Sequence, residues 1–288
     1  MDVVLGSTGR VGRALVEALL AKGRAVRAVT RNAGKAEPLR NMGASVVVAD
    51  FADAGAVRPA LAGGDVVFIL TAEDPGGHDA LAEARAFLDA CRDAVRSEGV
   101  GRIIGLSSDG AQHAAGTGML VASHMLEHAF DDVDVEKTFI RPSYYFSNWM
   151  ASLAVVTEHG FLPTFFPPDL SIPMISPADV GRYAAAVFAE EVETRPIHEI
   201  TGPRPYTSTE IARTVGEIFG REVRAQQVPE SNWLETLTRV GFSPANARHM
   251  AAMTAAVISG LTAAEGEMLP LPTTFSEYAR EVLAERRN

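Results

Sequence analysis

Three glycines spaced three apart, Gly6, Gly9 and Gly12 in GSTGRVG, are the first residues of this chain whose type and spacing speak to chemistry. A loop of this kind gathers bare backbone amides. Where it opens a helix, the unpaired N–H groups and the positive end of the helix dipole make a seat for phosphate. Each glycine then has a reading: Gly6 for the tight turn, Gly9 to let the backbone approach a pyrophosphate, and Gly12 to let the helix pack on its strand. A second candidate stands nineteen positions after Gly12. Dinucleotide sites that take an unphosphorylated ribose place an acidic residue about twenty positions after the glycines. Here the residue is Arg31, whose guanidinium suits a 2′-phosphate. Lys35 adds a second positive charge nearby.

These residues need elements to position them. DVVL is a short β-branched run, and RVGRALVEALLAKG carries Val11, Leu15, Ala18, Leu19 and Leu20 at helical spacing before it stops at Gly23. AVRAVTR follows as a second strand, so a strand, glycine loop, helix and strand close into one βαβ unit. Further on, ASVVVADFAD (44–53), DVVFIL (65–70) and GRIIGLS (101–107) read as strands buried on both faces, with helical DALAEARAFLDACRDAV (79–95) among them. Alternating strands and helices predict an α/β fold, a doubly wound parallel sheet of the Rossmann type. Ligands in such sheets bind beyond the carboxyl ends of the strands. That rule makes Gly6, Ser7, Thr8, Gly9, Arg10, Val11, Arg31, Asp50, Phe51, Thr71, Ala72, Ser107, Ser108, Pro142, Ser143, Tyr144 and Tyr145 the rim of one cleft.

Past residue 145 the pattern changes. Proline-rich FLPTFFPPDLSIP (161–173) predicts an irregular apolar wall outside the sheet, and IHEITG (197–202) returns as a strand. Two amphipathic stretches follow: TSTEIARTVGEIFG, with Glu210 placed for a capping box, and SNWLETLTRVGFSPANARHMAAMTAAVISG. The expected organisation is a dinucleotide-binding domain of residues 1–145 and 176–203, with a smaller, mostly helical lobe of 146–175 and 204–288 covering the cleft. In that lobe Met250, Met253, Trp233 and Phe242 either line a substrate pocket or form ordinary core.

Composition narrows the function classes. With 288 residues, 47% of them hydrophobic, the chain can bury a large core, and its formal charge of −10 disfavours a nucleic-acid binder, which must neutralise phosphates with clustered Lys and Arg. The single cysteine, Cys91, excludes an intrachain disulfide framework and fits a reducing compartment. No signal-peptide pattern precedes the glycines, and no apolar run reaches the ~18 residues of a membrane span. The expectation is a cytoplasmic protein acting on a small molecule, with no membrane partner.

GSTGRVG, followed by VTRNAGKAEPL, VVVADFAD, VVFILTAED, RIIGLSSDGA, FIRPSYYFSN, IPMISPADVGRYAAAVF, HEITGPRPYTSTEIARTVGEIFG and LPTTFSEYAREVLAE, resembles the NmrA-like family of atypical short-chain dehydrogenase/reductases along nearly the whole chain. The resemblance implies an NADP(H) cofactor, a charge for Lys35 to meet, and an adenine contact for Asp50 and Phe51.

The superfamily's Tyr-x-x-x-Lys pair, in which lysine lowers the tyrosine pKa, is missing. Of the five tyrosines, Tyr144, Tyr145, Tyr183, Tyr206 and Tyr278, none has lysine four residues on. The helix that would carry the pair reads GMLVASHMLEHAF (118–130), with Ser123 or His124 where the lysine would fall. His124, Glu127 and His128 spell an H-x-x-E-H string that binds zinc in an inverzincin, but the surrounding pattern is that of a dinucleotide fold and no metal is expected. His124 is either a plain helix residue or a proton donor or hydrogen-bonding group in the cleft. Two function classes remain. One is an NADPH-dependent reductase of a quinone or activated double bond, with Ser107 or Ser108 and one of His124, Tyr144 and Tyr145 holding the acceptor. The other is a catalytically weak NADP(H)-binding redox sensor that offers a surface to a protein partner.

Overall fold

A computed structural model of the chain describes residues 1–51, 53–71 and 74–285. In chain order the elements begin β1 (Asp2–Val4), α1 (Arg10–Ala21), β2 (Val26–Thr30), α2 (Ala36–Asn41), β3 (Ser45–Val48), α3 (Ala54–Leu61), β4 (Val66–Leu70), α4 (Ala80–Glu98) and β5 (Arg102–Leu106). They continue with α5 (Val121–His128), β6 (Glu136–Pro142), β7 (Tyr144–Tyr145), α6 (Ser147–Met150), α7 (Leu153–His159), β8 (Phe161–Thr164), β9 (Ile172–Ile175), α8 (Pro177–Phe188) and β10 (Ile197–Thr201). The last are β11 (Pro205–Tyr206), α9 (Ser208–Phe219), β12 (Arg224–Gln227), α10 (Trp233–Arg239), α11 (Pro244–Ile258), β13 (Leu269–Pro270) and α12 (Phe275–Glu285).

Among the described residues, eight strands form one sheet in the order β13-β10-β6-β5-β4-β1-β2-β3. Its pairings are parallel, from Val3 opposite Arg27 and Val67 to Ile103 opposite Lys137 and Ile200 opposite Leu269. The order reverses between β1 and β4, which is the switch point of a doubly wound sheet. One face is covered by α1 and α8 around Val4, Leu15, Leu19, Val180, Ala184 and Phe188. A Cβ at Gly181 of α8 would lie 2.5 Å from the Val11 carbonyl oxygen, so the two helices pack backbone against backbone. The other face is covered by α3, α4 and α5 around Val57, Leu61, Leu88, Cys91 and Leu126.

A third cluster lies among α6, α7, α9, α12 and the short strands, where Phe146 meets Tyr206 and Phe275 edge-on with centroids 5.4 Å apart. Thr207 and Glu210 close the expected capping box on α9. Four features differ from what the sequence predicts. Strand 45–48 is not buried on both faces: it is the outermost strand, and Val48 is 47% exposed. The proline-rich wall contains two strands, with β8 paired to β12 and β9 lying between β7 and β11. The long amphipathic stretch breaks at Gly241, whose φ of +103° a β-carbon would strain, and restarts as α11 with Ser243 as cap and Pro244 in its first turn. The chain beyond 204 also returns to the main sheet, as β13.

Candidate nucleotide and acceptor site

The glycine loop leaves β1 and turns at Gly6, with φ +66°, into Gly9, the N-cap of α1. No side chain caps this helix and its first turn carries no acidic residue, so a ligand can meet the helix dipole unopposed. The buried Ser7 pins the turn by donating to the carbonyls of Val4 (2.7 Å) and Val29 (3.0 Å). A Cβ at Gly12 would lie 2.3 Å from the Gly6 carbonyl oxygen and 3.0 Å from Ser7 Cα, so Gly12 lets the helix close on its own loop. At Gly9 a Cβ would meet only that same oxygen, at 3.2 Å, and the residue is exposed. The two glycines therefore divide the work: Gly12 makes the loop foldable, and Gly9 keeps its outer surface bare. Arg10 is exposed beside Gly9, while Val11 is buried against the α8 side of the sheet.

The end of β2 is tied to this loop through Thr8 and Thr30, whose hydroxyls lie 3.3 Å apart. Arg31 follows, exposed, and Asn32 accepts from the Gly34 amide (2.9 Å) to shape the turn that carries the exposed Lys35. Asp50 and Phe51 lie just past β3, and Phe51 packs on Phe87 of α4 with centroids 5.2 Å apart. Thr71 is half-buried at the end of β4. Ala72 lies outside the described residues.

At the end of β5, Ser107 donates to Glu127 Oε1 at 2.6 Å and Ser108 donates to Ser123 at 3.0 Å. Both oxygens of buried Glu127 are gripped by Arg141 of β6, at 2.8 and 2.7 Å. Arg141 also meets Glu265 (3.0 Å) and Glu199 (3.6 Å), and the Glu127 contact, first among these, pushes its pKa further up. The glutamate of the H-x-x-E-H string is thus consumed by a buried ion pair, while His128 turns to Asp131 at 2.9 Å. His124 packs against His128 with ring centroids 4.5 Å apart and planes tilted by 49°, and it places Nδ1 2.9 Å from the Ala111 carbonyl oxygen. A carbonyl only accepts, so Nδ1 carries the hydrogen and the neutral ring keeps its lone pair at Nε2.

Pro142 is buried, and its carbonyl accepts from the Asp109 amide (3.2 Å). Burial and the nearby Glu199 charge raise the Asp109 carboxyl to about 8, against the pull of Arg141. Tyr144 sits edge-on to Phe166 (5.4 Å) and Trp149 (5.9 Å), and burial pushes its phenol up to about 12. Tyr145 is half-buried against the α1–α8 core. Of the residues weighed for a pocket, Trp233 is core: it is buried and donates to the Val228 carbonyl at 3.0 Å. Met250, Met253 and Phe242 are half-buried.

The residues that follow β1, β2, β4, β5 and β6 thus stand at one end of one sheet, and a Cβ at Gly12 would force open the tight turn of the glycine loop there. Asp109, Glu127 and Arg141, which the structure gathers behind β5 and β6, were not among the residues the sequence pointed to. An H-x-x-E-H string flagged Glu127 for the wrong partner, and nothing local flags the other two.

Fold and loop define a doubly wound nucleotide-binding protein of the Rossmann class. The chain belongs to the NmrA-like family, whose model matches residues 3–279. It is 26% identical over 247 residues to quinone oxidoreductase 2 of Escherichia coli, covering 84% of this chain and 82% of that protein. It is 23% identical to the NAD(P)H azoreductase of Xenophilus azovorans, covering 97% of each. The crystal structure of an NADPH-dependent quinone oxidoreductase from Escherichia coli, complexed with NADPH, superposes with a TM-score of 0.81 at 23% identity, covering 98% of this chain and 100% of that one. Among the described residues no helix is long and apolar enough to cross a membrane.

Proposed function

We propose that this chain uses NADPH to reduce a small electrophilic organic acceptor, a quinone or an activated double bond, without a Tyr-x-x-x-Lys pair. It is an NAD(P)H-dependent oxidoreductase, as the names of the quinone oxidoreductase and azoreductase relatives support. When bound, the cofactor supplies the hydride. The amides at the start of α1, from Gly9 to Gly12, hold its pyrophosphate, Thr8 steadies the loop, and Arg31, Lys35 and Arg10 neutralise the 2′-phosphate. Asp50 and Phe51 contact the adenine half, and Thr71 and Pro142 border the nicotinamide half. Ser107 directs its proton to Glu127 and so offers only lone pairs to the cleft, while Ser108 and Ser123 share a second hydroxyl pair. His124, with Nδ1 committed to Ala111, acts at Nε2, as donor when the ring is charged and as acceptor when it is neutral.

One observation carries the choice of acceptor. Tyr144 has no lysine four residues on and its phenol is pushed up to about 12, so it is a poor proton donor at neutral pH. An acceptor that takes hydride readily, with little proton assistance, suits such a site. The test is NADPH consumption, followed at the nicotinamide absorbance, with a panel of quinones and enones. Turnover with a member of the panel is expected. Tight NADPH binding with no turnover across the panel would overturn the reductase reading in favour of a nucleotide-sensing protein.

A further inference from the structure

Asn246, in the first turn of α11, has no exposed surface, and its side-chain amide is spent on one loop of the opposite half of the chain. Its Oδ1 accepts from the Ala80 amide at 2.9 Å. Its Nδ2 donates to the carbonyls of Asp74 (2.9 Å), Gly77 (3.1 Å) and Pro75 (3.3 Å), two hydrogens shared among three acceptors. The Ser243 amide adds a bond to Pro75 at 2.9 Å. Residues 74–79 form no helix or strand, so these bonds from α11 set much of the loop's shape.

Asp74 stands four positions after Leu70, the last residue of β4, whose Cδ2 lies 2.8 Å from where a Cβ of Gly6 would stand. The loop ends at Asp79, which caps α4 by accepting from Leu81 and Ala82. Helix α11 also touches the segment leading into α5, the helix of His124. A Cβ at Gly118 would lie 2.1 Å from the His249 carbonyl oxygen and 2.5 Å from the Met253 amide. One helix therefore bears on the loop that follows β4 and on the approach to α5.

We propose that Asn246 is a positioning residue for nucleotide binding: its amide fixes the 74–80 loop, which stands four positions beyond the last residue of β4, so that seating of α11 and affinity for NADP(H) are one coupled equilibrium. The proposal rests on the NADP(H) reading of the glycine-loop cleft. Linkage then works both ways: disturbing the α11 contact weakens nucleotide binding, and nucleotide steadies α11.

The test compares Asn246→Ala, Asn246→Asp and Ser243→Ala in titrations with NADP⁺ and in thermal melts. Asn246→Ala is expected to weaken NADP⁺ affinity by about tenfold, toward the low end of the usual range of coupling between sites. Asn246→Asp should match it, because it keeps the acceptor for Ala80 but sets an oxygen against three carbonyls. Ser243→Ala removes the cap of α11 yet keeps the backbone bond to Pro75. It should lower the melting temperature while leaving affinity within about twofold, whereas a merely structural role for Asn246 would make all three variants alike. Hydrogen exchange on the wild-type protein gives an arm independent of the variants' folding: NADP⁺ should slow exchange at 6–12, 74–80 and 243–250 together. Wild-type affinity in Asn246→Ala, or protection at 6–12 with none at 243–250, would overturn the proposal. Failure of the wild-type protein to bind NADP⁺ at all would overturn the cofactor reading, and the proposal with it.

Discussion

Adding a side chain at Gly12 and at Gly9 should have different consequences, although the two residues belong to the same loop. At Gly12 the new Cβ would stand 2.3 Å from the Gly6 carbonyl oxygen, 2.9 Å from its carbon and 3.0 Å from Ser7 Cα, all backbone atoms. The turn cannot simply retreat, because the Gly6 oxygen accepts from the Gly9 amide (2.9 Å) and Ser7 is bonded to Val4 and Val29. A displacement approaching 1 Å in so constrained a turn is an overpacking defect, costing about 1–3 kcal/mol. At about 2–4 °C per kcal/mol for a chain of this size, Gly12→Ala should melt roughly 2–12 °C below the wild type. At Gly9 the backbone is extended (φ −74°, ψ 166°), a conformation any residue adopts, and the only neighbour is the Gly6 oxygen at 3.2 Å. Gly9→Val should therefore cost on the order of 1 kcal/mol, through the poorer helix cap, and keep its circular dichroism. It should nonetheless lose nucleotide binding, since its side chain fills the face left bare for phosphate. Thermal melts and NADPH titrations of both variants decide the matter. NADPH affinity retained by Gly9→Val would refute the phosphate seat, and an unshifted melt for Gly12→Ala would refute the crowding argument.

Arg31→Ala should erase most of a preference for NADPH over NADH, worth about tenfold at the exposed, low end of charge-assisted contacts of roughly 1.5–3 kcal/mol; equal wild-type affinities in a titration would remove the argument. Tyr144→Phe and Tyr145→Phe should each lower kcat by less than about tenfold, one neutral hydrogen bond being worth on the order of 1 kcal/mol, whereas loss of a true general acid costs about 10²- to 10⁴-fold. His124→Ala should lower kcat more than either, and an unchanged kcat would return that imidazole to the helix surface. Asp109 keeps its proton up to about pH 8 in the folded chain against 3.8 for an ordinary carboxyl, so between those values the folded state binds more protons and loses stability as pH rises. Asp109→Asn should thus gain on the wild type in melting temperature steadily from pH 5 to pH 8, and a gap that does not grow across that window would show the carboxyl to be ionised throughout.

The sequence by itself determined whatever depends on neighbours within one turn or one βαβ unit. The glycine spacing, the strand before it and the helix after it lie within a short stretch, and so does the place of Arg31 at the end of β2. The capping box of Thr207 and Glu210 spans three positions and was legible for the same reason. The apolar run of β3 could not reveal that it would be an edge strand, because burial on one face or two depends on what packs outside it. Only the tertiary structure decided which distant segments meet. Glu127 reads as part of a metal string until β6 brings Arg141 beside it, and Asn246 reads as a mediocre helix residue until the loop 166 positions earlier closes around it. Buried polar groups must find partners, but the partner is chosen by the packing of whole elements, and no local spacing encodes that choice.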